Sequence, residues 1–312
     1  MRSAPVRIEV RDRPAPGETT WFYFRGNGHE SGRNGPYDHV PVQRFFYLPT
    51  VEGGTDTLRW RDGFSLTWQL VPVRQAGYYT TFFYAASEGT DFYDLLGLNG
   101  YVGAHPYPFS AFGGGDGDDF RAHEWEISID GIDHVGSLVE YGRVHTQAFR
   151  CEVLDAAGAS QMTLHPSIAS DLGEAIEYRH DGAYADAPPH AHKALVFGNA
   201  PWWAAHQHER LSGYLRRVKV FRGALSDADL LAESLSDTLA TDAGRAQIWW
   251  SKISPTSPDD LTSDSVDARG ARRTALWIDG ARAEIVRDAD LASHHAFMSA
   301  DTIGNPMHME RG

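Results

Sequence analysis

The stretch "HEWEISIDG", residues 123–131, sets acidic side chains at alternating positions. Read as a strand, it places Glu124, Glu126, Ser128 and Asp130 on one face and His123, Trp125, Ile127 and Ile129 on the other. Residues two apart on a strand lie about 6.6 Å apart along the chain. Their carboxyl groups can approach the separation of about 5–5.5 Å at which one acts as acid/base and the other as nucleophile on a glycosidic bond. Ser128 interrupts the row, so the same residues also read as a polar, solvated strand face.

A second set follows. His145 and Gln147 share a strand face, with Tyr141 and Arg143 just upstream, and Tyr178, Arg179 and His180 adjoin one another. Histidine exchanges a proton near neutral pH, which suits general base work. Two His-x-His pairs, His190 with His192 and His206 with His208, have ligand types suited to Zn, Cu or Ni. Pro188, Pro189 and Pro201 make those segments loop-like, and a solvated loop is the plainer reading. In "GGGDGDDF", Asp116, Asp118 and Asp119 offer oxygen ligands for Ca²⁺, without the twelve-residue EF-hand spacing. A flexible acidic turn is the alternative. Trp202 with Trp203, Trp249 with Trp250, and Tyr101 with Tyr107 can present ring faces to sugar C–H groups. One ring of each Trp pair can instead be core.

Strands must position these residues. "TTWFYFRG", "RFFYLPT", "DTLRWRDGFSLTWQLVPV", "GYYTTFFYAA", "AHEWEISID", "RVHTQAFRCEVLD" and "GYLRRVKVF" are rich in aromatic and β-branched residues. Gly, Pro, Asn or Asp bounds each of them. Helical spacing is clearest in "SDADLLAESL", with Ser226 as N-cap and Asp227 and Asp229 in the first turn. No βαβ alternation is visible, so a parallel-sheet enzyme is not expected. Long loops carrying Gly, Pro, Asn and aromatic residues, "GNGHESGRNGPYDHVPV" and "LLGLNGYVGAHPYPFSAFGGGDGDDF", are where a rigid sandwich places binding.

Composition narrows the classes. The 312 residues carry a net charge of −14, which argues against a nucleic-acid partner. No apolar run is long enough to span a membrane. The N-terminal stretch lacks the apolar core of a signal peptide, which leaves the cytoplasm, or secretion with a leader removed, both open. Cys151 is the only cysteine, so intramolecular disulfides and cysteine-based zinc sites are excluded. Its setting, "AFRCEV", reads as the interior of a strand holding an inert thiol.

"LSGYLRRVKVFRGALSDADL", residues 211–230, resembles the closing segment of the laminin-G-like, concanavalin-type jelly rolls: a Gly, an alternating strand, "ALS" and a short acidic helix. "ALVFGN" at 194–199 resembles the strand that precedes it there, and "FSLTWQLVPV" at 64–73 an early strand. "AQIWWSKISPTSPDD" resembles the opening of the same family, yet here it comes near the end. The resemblance implies an all-β, two-sheet antiparallel jelly-roll sandwich with one short helix, long loops and a permuted or elaborated strand order. We expect one domain over 1–312, with a core over about 1–240 and C-terminal strands in 241–290 completing it.

The resemblance also implies carbohydrate recognition or carbohydrate cleavage, and fold alone does not choose between them. In the hydrolase reading, "EWEISID" resembles the "E-x-D-x-E" strand of laminarinase-like enzymes, with Glu126 and Asp130 at the outer carboxylates. In the lyase reading, His145, His123 or Tyr141 acts as base and Arg143 clamps the sugar carboxylate. In the binding reading, which we favour, Trp202, Trp203, Tyr107 and Asp130 hold a glycan without turnover. A partner-binding scaffold is the third reading. Ca²⁺ at Asp116, Asp118 and Asp119 is the one cofactor suggested, and the oligomeric state is left open.

Overall fold

The computed structural model describes residues 18–25, 46–49, 63–72, 79–86, 96–101, 109–113, 142–156, 159–180, 194–198, 211–266, 270–277 and 282–294. Their strands form two antiparallel sheets. Sheet A contains β1 (Thr20–Arg25), β3 (Phe64–Pro72), β7 (His145–Val153), β8 (Ser160–Ile168), β9 (Ile176–His180), β11 (Ser212–Arg222), β12 (Ile248–Lys252) and β14 (Glu284–Arg287). Its order is β14-β1-β11-β3-β7-β8-β9, with β12 paired to β11. Sheet B contains β2 (Phe46–Pro49), β4 (Tyr79–Ala86), β5 (Leu96–Tyr101), β6 (Phe109–Gly113), β10 (Ala194–Phe197) and β13 (Leu276–Trp277), in the order β13-β2-β10-β4-β5-β6. The fold is the all-β, two-sheet antiparallel jelly-roll sandwich that the resemblance implied.

Alternation builds the core. Phe64, Leu66, Trp68 and Leu70 on β3 point to one face and meet Phe22 and Phe24 of β1, Phe149 and Cys151 of β7, and Met162 and Leu164 of β8. Leu48 and Phe197 of sheet B complete this inner layer. Phe197 stacks on Trp250 across the sheets, with ring centroids 6.1 Å apart. Cys151 is fully buried here, and burial raises its thiol far above its ordinary pKa. The inert thiol expected from "AFRCEV" follows.

The other face of sheet A is covered. Helix α1 (Asp227–Leu235) packs on β3 and β7, and Ser226 caps it by accepting from Asp229 N at 3.2 Å. A second helix, α2 (Asp242–Gln247), follows and packs on β11. The sequence reading had only one helix. The second begins with Thr241 as N-cap, whose hydroxyl accepts from Gly244 N at 2.8 Å. Its six residues carry too little apolar periodicity to stand out.

Strand β11 departs from the simple alternation read in "GYLRRVKVF". Its register against β3 shifts between Arg216 and Lys219, and Arg217 has φ 53°. Strict alternation would have turned Arg217, Lys219 and Phe221 inward after Leu215. The bulge instead keeps Leu215, Val218 and Val220 in the core and sends Lys219 and Phe221 to the helix face. Arg217 then reaches the end of α1, where it pairs with Asp237 and donates to Leu235 O at 3.4 Å.

Gly63 opens β3 at φ +68°, and a Cβ there would lie 2.8 Å from Cys151 O. Gly63→Ala is expected to destabilise the protein by about 1–3 kcal/mol through left-handed strain and this clash. Chemical denaturation measures it; an unchanged midpoint would contradict the backbone assignment.

Candidate functional site

One end of the sandwich gathers the connections between sheets. In sheet A, Pro72 at the end of β3 pairs with Gly213 near the start of β11, and Arg25 at the end of β1 pairs with Ser212. In sheet B, Tyr79 at the start of β4 pairs with Tyr101 at the end of β5. Phe197 at the end of β10 pairs with Phe46 at the start of β2. The crossings β1→β2, β3→β4 and β10→β11 therefore leave and enter at this same end. β7 begins there too, because His145 pairs with Leu70.

The described side chains at this end mix charge and burial. Arg143 is exposed, two residues before β7. His145 is 7% exposed and faces inward with Gln147 and Phe149. Gln147 is fully buried; its Oε1 accepts from Trp68 Nε1 at 2.7 Å and its Nε2 donates to Pro166 O at 2.9 Å. The pair seen in the sequence is thus a buried polar step at the rim of the core, not a solvated strand face. Trp68 supplies the bond that makes burial of Gln147 tolerable. No motif in the sequence announces that partnership, because Trp68 and Gln147 belong to strands far apart in the chain.

Other expected residues belong to connections that begin or end here. The β5–β6 connection at 102–108 carries Tyr107, and the β10–β11 connection at 199–210 carries Trp202 and Trp203. Both connections begin at this end. The β6–β7 connection begins at the opposite end, since Gly113 pairs with Leu96, and returns here to His145. It carries Asp116, Asp118, Asp119, His123, Glu126, Asp130 and Tyr141. All of these residues, and the four histidines at 190–208, lie outside the described residues. Among the described residues, no three His, Cys, Asp or Glu side chains come together to hold a metal ion.

Trp249 and Trp250 are described, and they correct one expectation. They are 2% and 0% exposed, and both belong to the inner core cluster. Trp250 Nε1 donates to Leu261 O at 3.2 Å, and the Arg273 guanidinium lies 4.5 Å from the Trp249 ring centroid. They sit in β12, which pairs with β11, so neither ring is a platform for a ligand.

Two buried lysines were not singled out by sequence. Lys219 Nζ donates to Glu233 Oε2 at 2.9 Å, to Glu233 O at 2.7 Å and to Thr238 O at 2.7 Å. Burial lowers the Lys219 pKa, while Glu233 opposes that shift. Lys252 Nζ meets Asp260 at 2.7 Å, Asp264 at 3.0 Å and Thr262 O at 2.8 Å. Burial pushes Asp260 upward, but its bonds from Lys252 and Thr256 hold it below its ordinary value. Every ammonium proton in these clusters has an acceptor, so both serve as clasps for the chain after β11.

No protein-family model matches the chain, and no curated protein matches it. Among solved structures, it is similar to tailspike protein 2 of an Escherichia coli O157:H7 bacteriophage, at 16% identity and TM-score 0.42 over 64% of this chain and 24% of that one. It is similar to a heptameric SAP-like pentraxin from Limulus polyphemus, at 11% identity and TM-score 0.42 over 86% of this chain and 94% of that one. It is also similar to the CBM40 of a Ruminococcus gnavus IT-sialidase bound to alpha2,3 sialyllactose, at 13% identity and TM-score 0.39 over 61% of this chain and 91% of that one. The chain spans about a quarter of the tailspike's own length.

Proposed function

We propose that this chain recognises a carbohydrate at the end of the sandwich where β7 begins. One observation carries the reading: Arg143, His145 and the roots of the connections bearing Tyr107, Trp202 and Trp203 converge on that end. The physics of sugar binding asks for that combination. Aromatic rings supply apolar faces for sugar C–H groups, and a few fixed polar groups read the hydroxyls. A buried His145 held on a strand is better fixed than a loop residue, and Arg143 adds a charge suited to an acidic sugar. Asp130 and Glu126 on the incoming connection are the further polar candidates. Placement at the end of a rigid sandwich suits binding, because connections there can vary without disturbing the core.

A glycan array with the full chain tests this, followed by His145→Ala and Arg143→Ala on whichever sugar binds. Each variant is expected to fold and to lose about tenfold or more in affinity, the effect of one or two lost polar contacts. Preference for uronate-containing or sialylated glycans is expected to fall most in Arg143→Ala. Absence of binding to any glycan, or undiminished affinity in both variants, would refute the assignment. Appearance of an ultraviolet-absorbing unsaturated product from a uronate polymer, abolished by His145→Ala, would move the reading from binding to lyase chemistry, with His145 as base.

A further inference from the structure

The helix-covered face of sheet A contains a buried polar layer that the proposed site does not use. Thr67 on β3, Ala148 on β7 and His165 on β8 form one row across three paired strands, and Arg150 lies opposite Thr163 in the next. Thr67, Thr163 and His165 are 1%, 2% and 5% exposed. Among the described residues, the hydroxyls of Thr67 and Thr163 and Nε of Arg150 lack a hydrogen-bond partner, and the His165 ring meets only the backbone of Leu172 and Glu174. Buried polar atoms without partners are rare and costly, and their clustering marks a poorly secured place in the packing.

Two pieces of chain close over this layer. The β8–β9 connection at 169–175 folds back, and its Leu172 packs against the cluster of Ala148, Ile168, Phe221 and Leu230. It is a tight turn: Ala169 N donates to Asp171 O at 3.1 Å, Gly173 N donates to Asp171 Oδ1 at 3.0 Å, and Gly173 has φ +66°. The second piece is the start of α1, which Arg150 holds by donating to Leu225 O at 3.1 Å and by pairing with Asp227.

The charges around His165 are unevenly placed. Arg150 on β7 is the nearby cation, with its side chain 15% exposed. Asp227, at the start of α1, is 72% exposed and so screened by solvent. Asp229 in α1, Asp171 and Glu174 in the connection, and Glu177 on β9 are the other acids of the surrounding elements. Lys219 and Glu233, beyond Thr67, neutralise each other. Burial lowers the His165 pKa first and Arg150 lowers it further; Asp227 and the backbone of Leu172 and Glu174 oppose them without reversing the direction.

We propose that His165 is an acid-triggered release for the cover over sheet A. Protonation sets an imidazolium beside the Arg150 guanidinium in a dry layer, and water reaches both when the 169–175 connection and the start of α1 lift while the sheets stay paired. The neutral ring belongs to the closed form. The unfolded chain takes up the proton near pH ~6.5, the closed form only at lower pH. The stabilisation from the neutral ring is therefore complete above that value and is lost as pH falls through it toward the folded value.

Hydrogen exchange on the full chain between about pH 7.5 and pH 5.5, spanning the ordinary histidine value, is the test. Amides of 169–176 and 226–229 are expected to lose protection on acidification, beyond the intrinsic change in exchange rate, by up to about tenfold per pH unit for one linked proton. Amides of β3 and β7 are expected to keep theirs. His165→Gln is expected to abolish this pH dependence. Equal pH dependence in His165→Gln, or protection at 169–176 that ignores pH, would overturn the proposal. So would uniform loss across both sheets. If His165→Gln does not fold, imidazole NMR of the unaltered chain decides: the His165 titration must coincide with the loss of protection at 169–176, and a titration without that loss refutes the release.

Discussion

A chain ending at residue 240 is expected to aggregate rather than melt cooperatively. The removed segment pairs with sheet A at two places, β12 on β11 and β14 on β1, and with sheet B at β13 on β2. Its loss bares strand edges that then recruit other chains. It also removes Trp249, Trp250, Leu261, Ala275 and Ala283 from the inner core and Val286 from the outer cluster. Emptying one buried Trp site typically costs about 3–5 kcal/mol, and two such sites approach the whole stability of a domain, about 5–15 kcal/mol. Circular dichroism melting and light scattering measure the outcome. A soluble truncation with a sharp transition near that of the full chain would show that the tail is an appendage.

Glu233→Ala is expected to destabilise the protein by about 3–5 kcal/mol, the cost of leaving a buried charge unpaired. The substitution strands Lys219 Nζ, which is 1% exposed at the side chain. It also leaves the amides of Ala240 and Thr241 without the Glu233 Oε1 they now share at 2.9 and 2.8 Å. The Glu233 carboxylate thus joins the turn between α1 and α2 to Lys219 of β11, beside the Lys219–Thr238 and Arg217–Asp237 contacts. Lys219→Met combined with Glu233→Leu is expected to recover much of the loss, because no buried charge then remains. Urea denaturation of the single and double variants distinguishes the cases. A Glu233→Ala midpoint within error of the parent would refute the clasp.

Much of the sandwich is legible in the chain because strand burial is written at period two. "FSLTWQLVP" alternates Phe, Leu, Trp and Leu against Ser, Thr and Gln, and β3 buries the apolar set in the inner core. The start of α1 is legible for a similar local reason: Ser226 accepts from a free first-turn amide, and the acids after it suit the positive end of the helix dipole. The site was legible only as a set of residue types. Pairing of His145 with Leu70 sets which end of the sandwich β7 begins at, and spacing along one strand says nothing of that.

Sequence by itself determined what depends on near neighbours. It specified antiparallel strands, a capped helix after "ALS" and a buried cysteine. Tertiary structure decided what depends on distant ones. It turned the Trp249–Trp250 pair from a candidate platform into core, because pairing of β12 with β11 leaves neither ring a solvent face. It placed Lys219 on the helix side, because a bulge at Arg217 resets the alternation and Glu233 waits there. It brought His165 beside Arg150 under a folded-back connection, a juxtaposition invisible along the chain. Periodicity is a local property of the backbone, whereas register, bulges and the partners of buried charges are settled only when strands remote in sequence share one sheet.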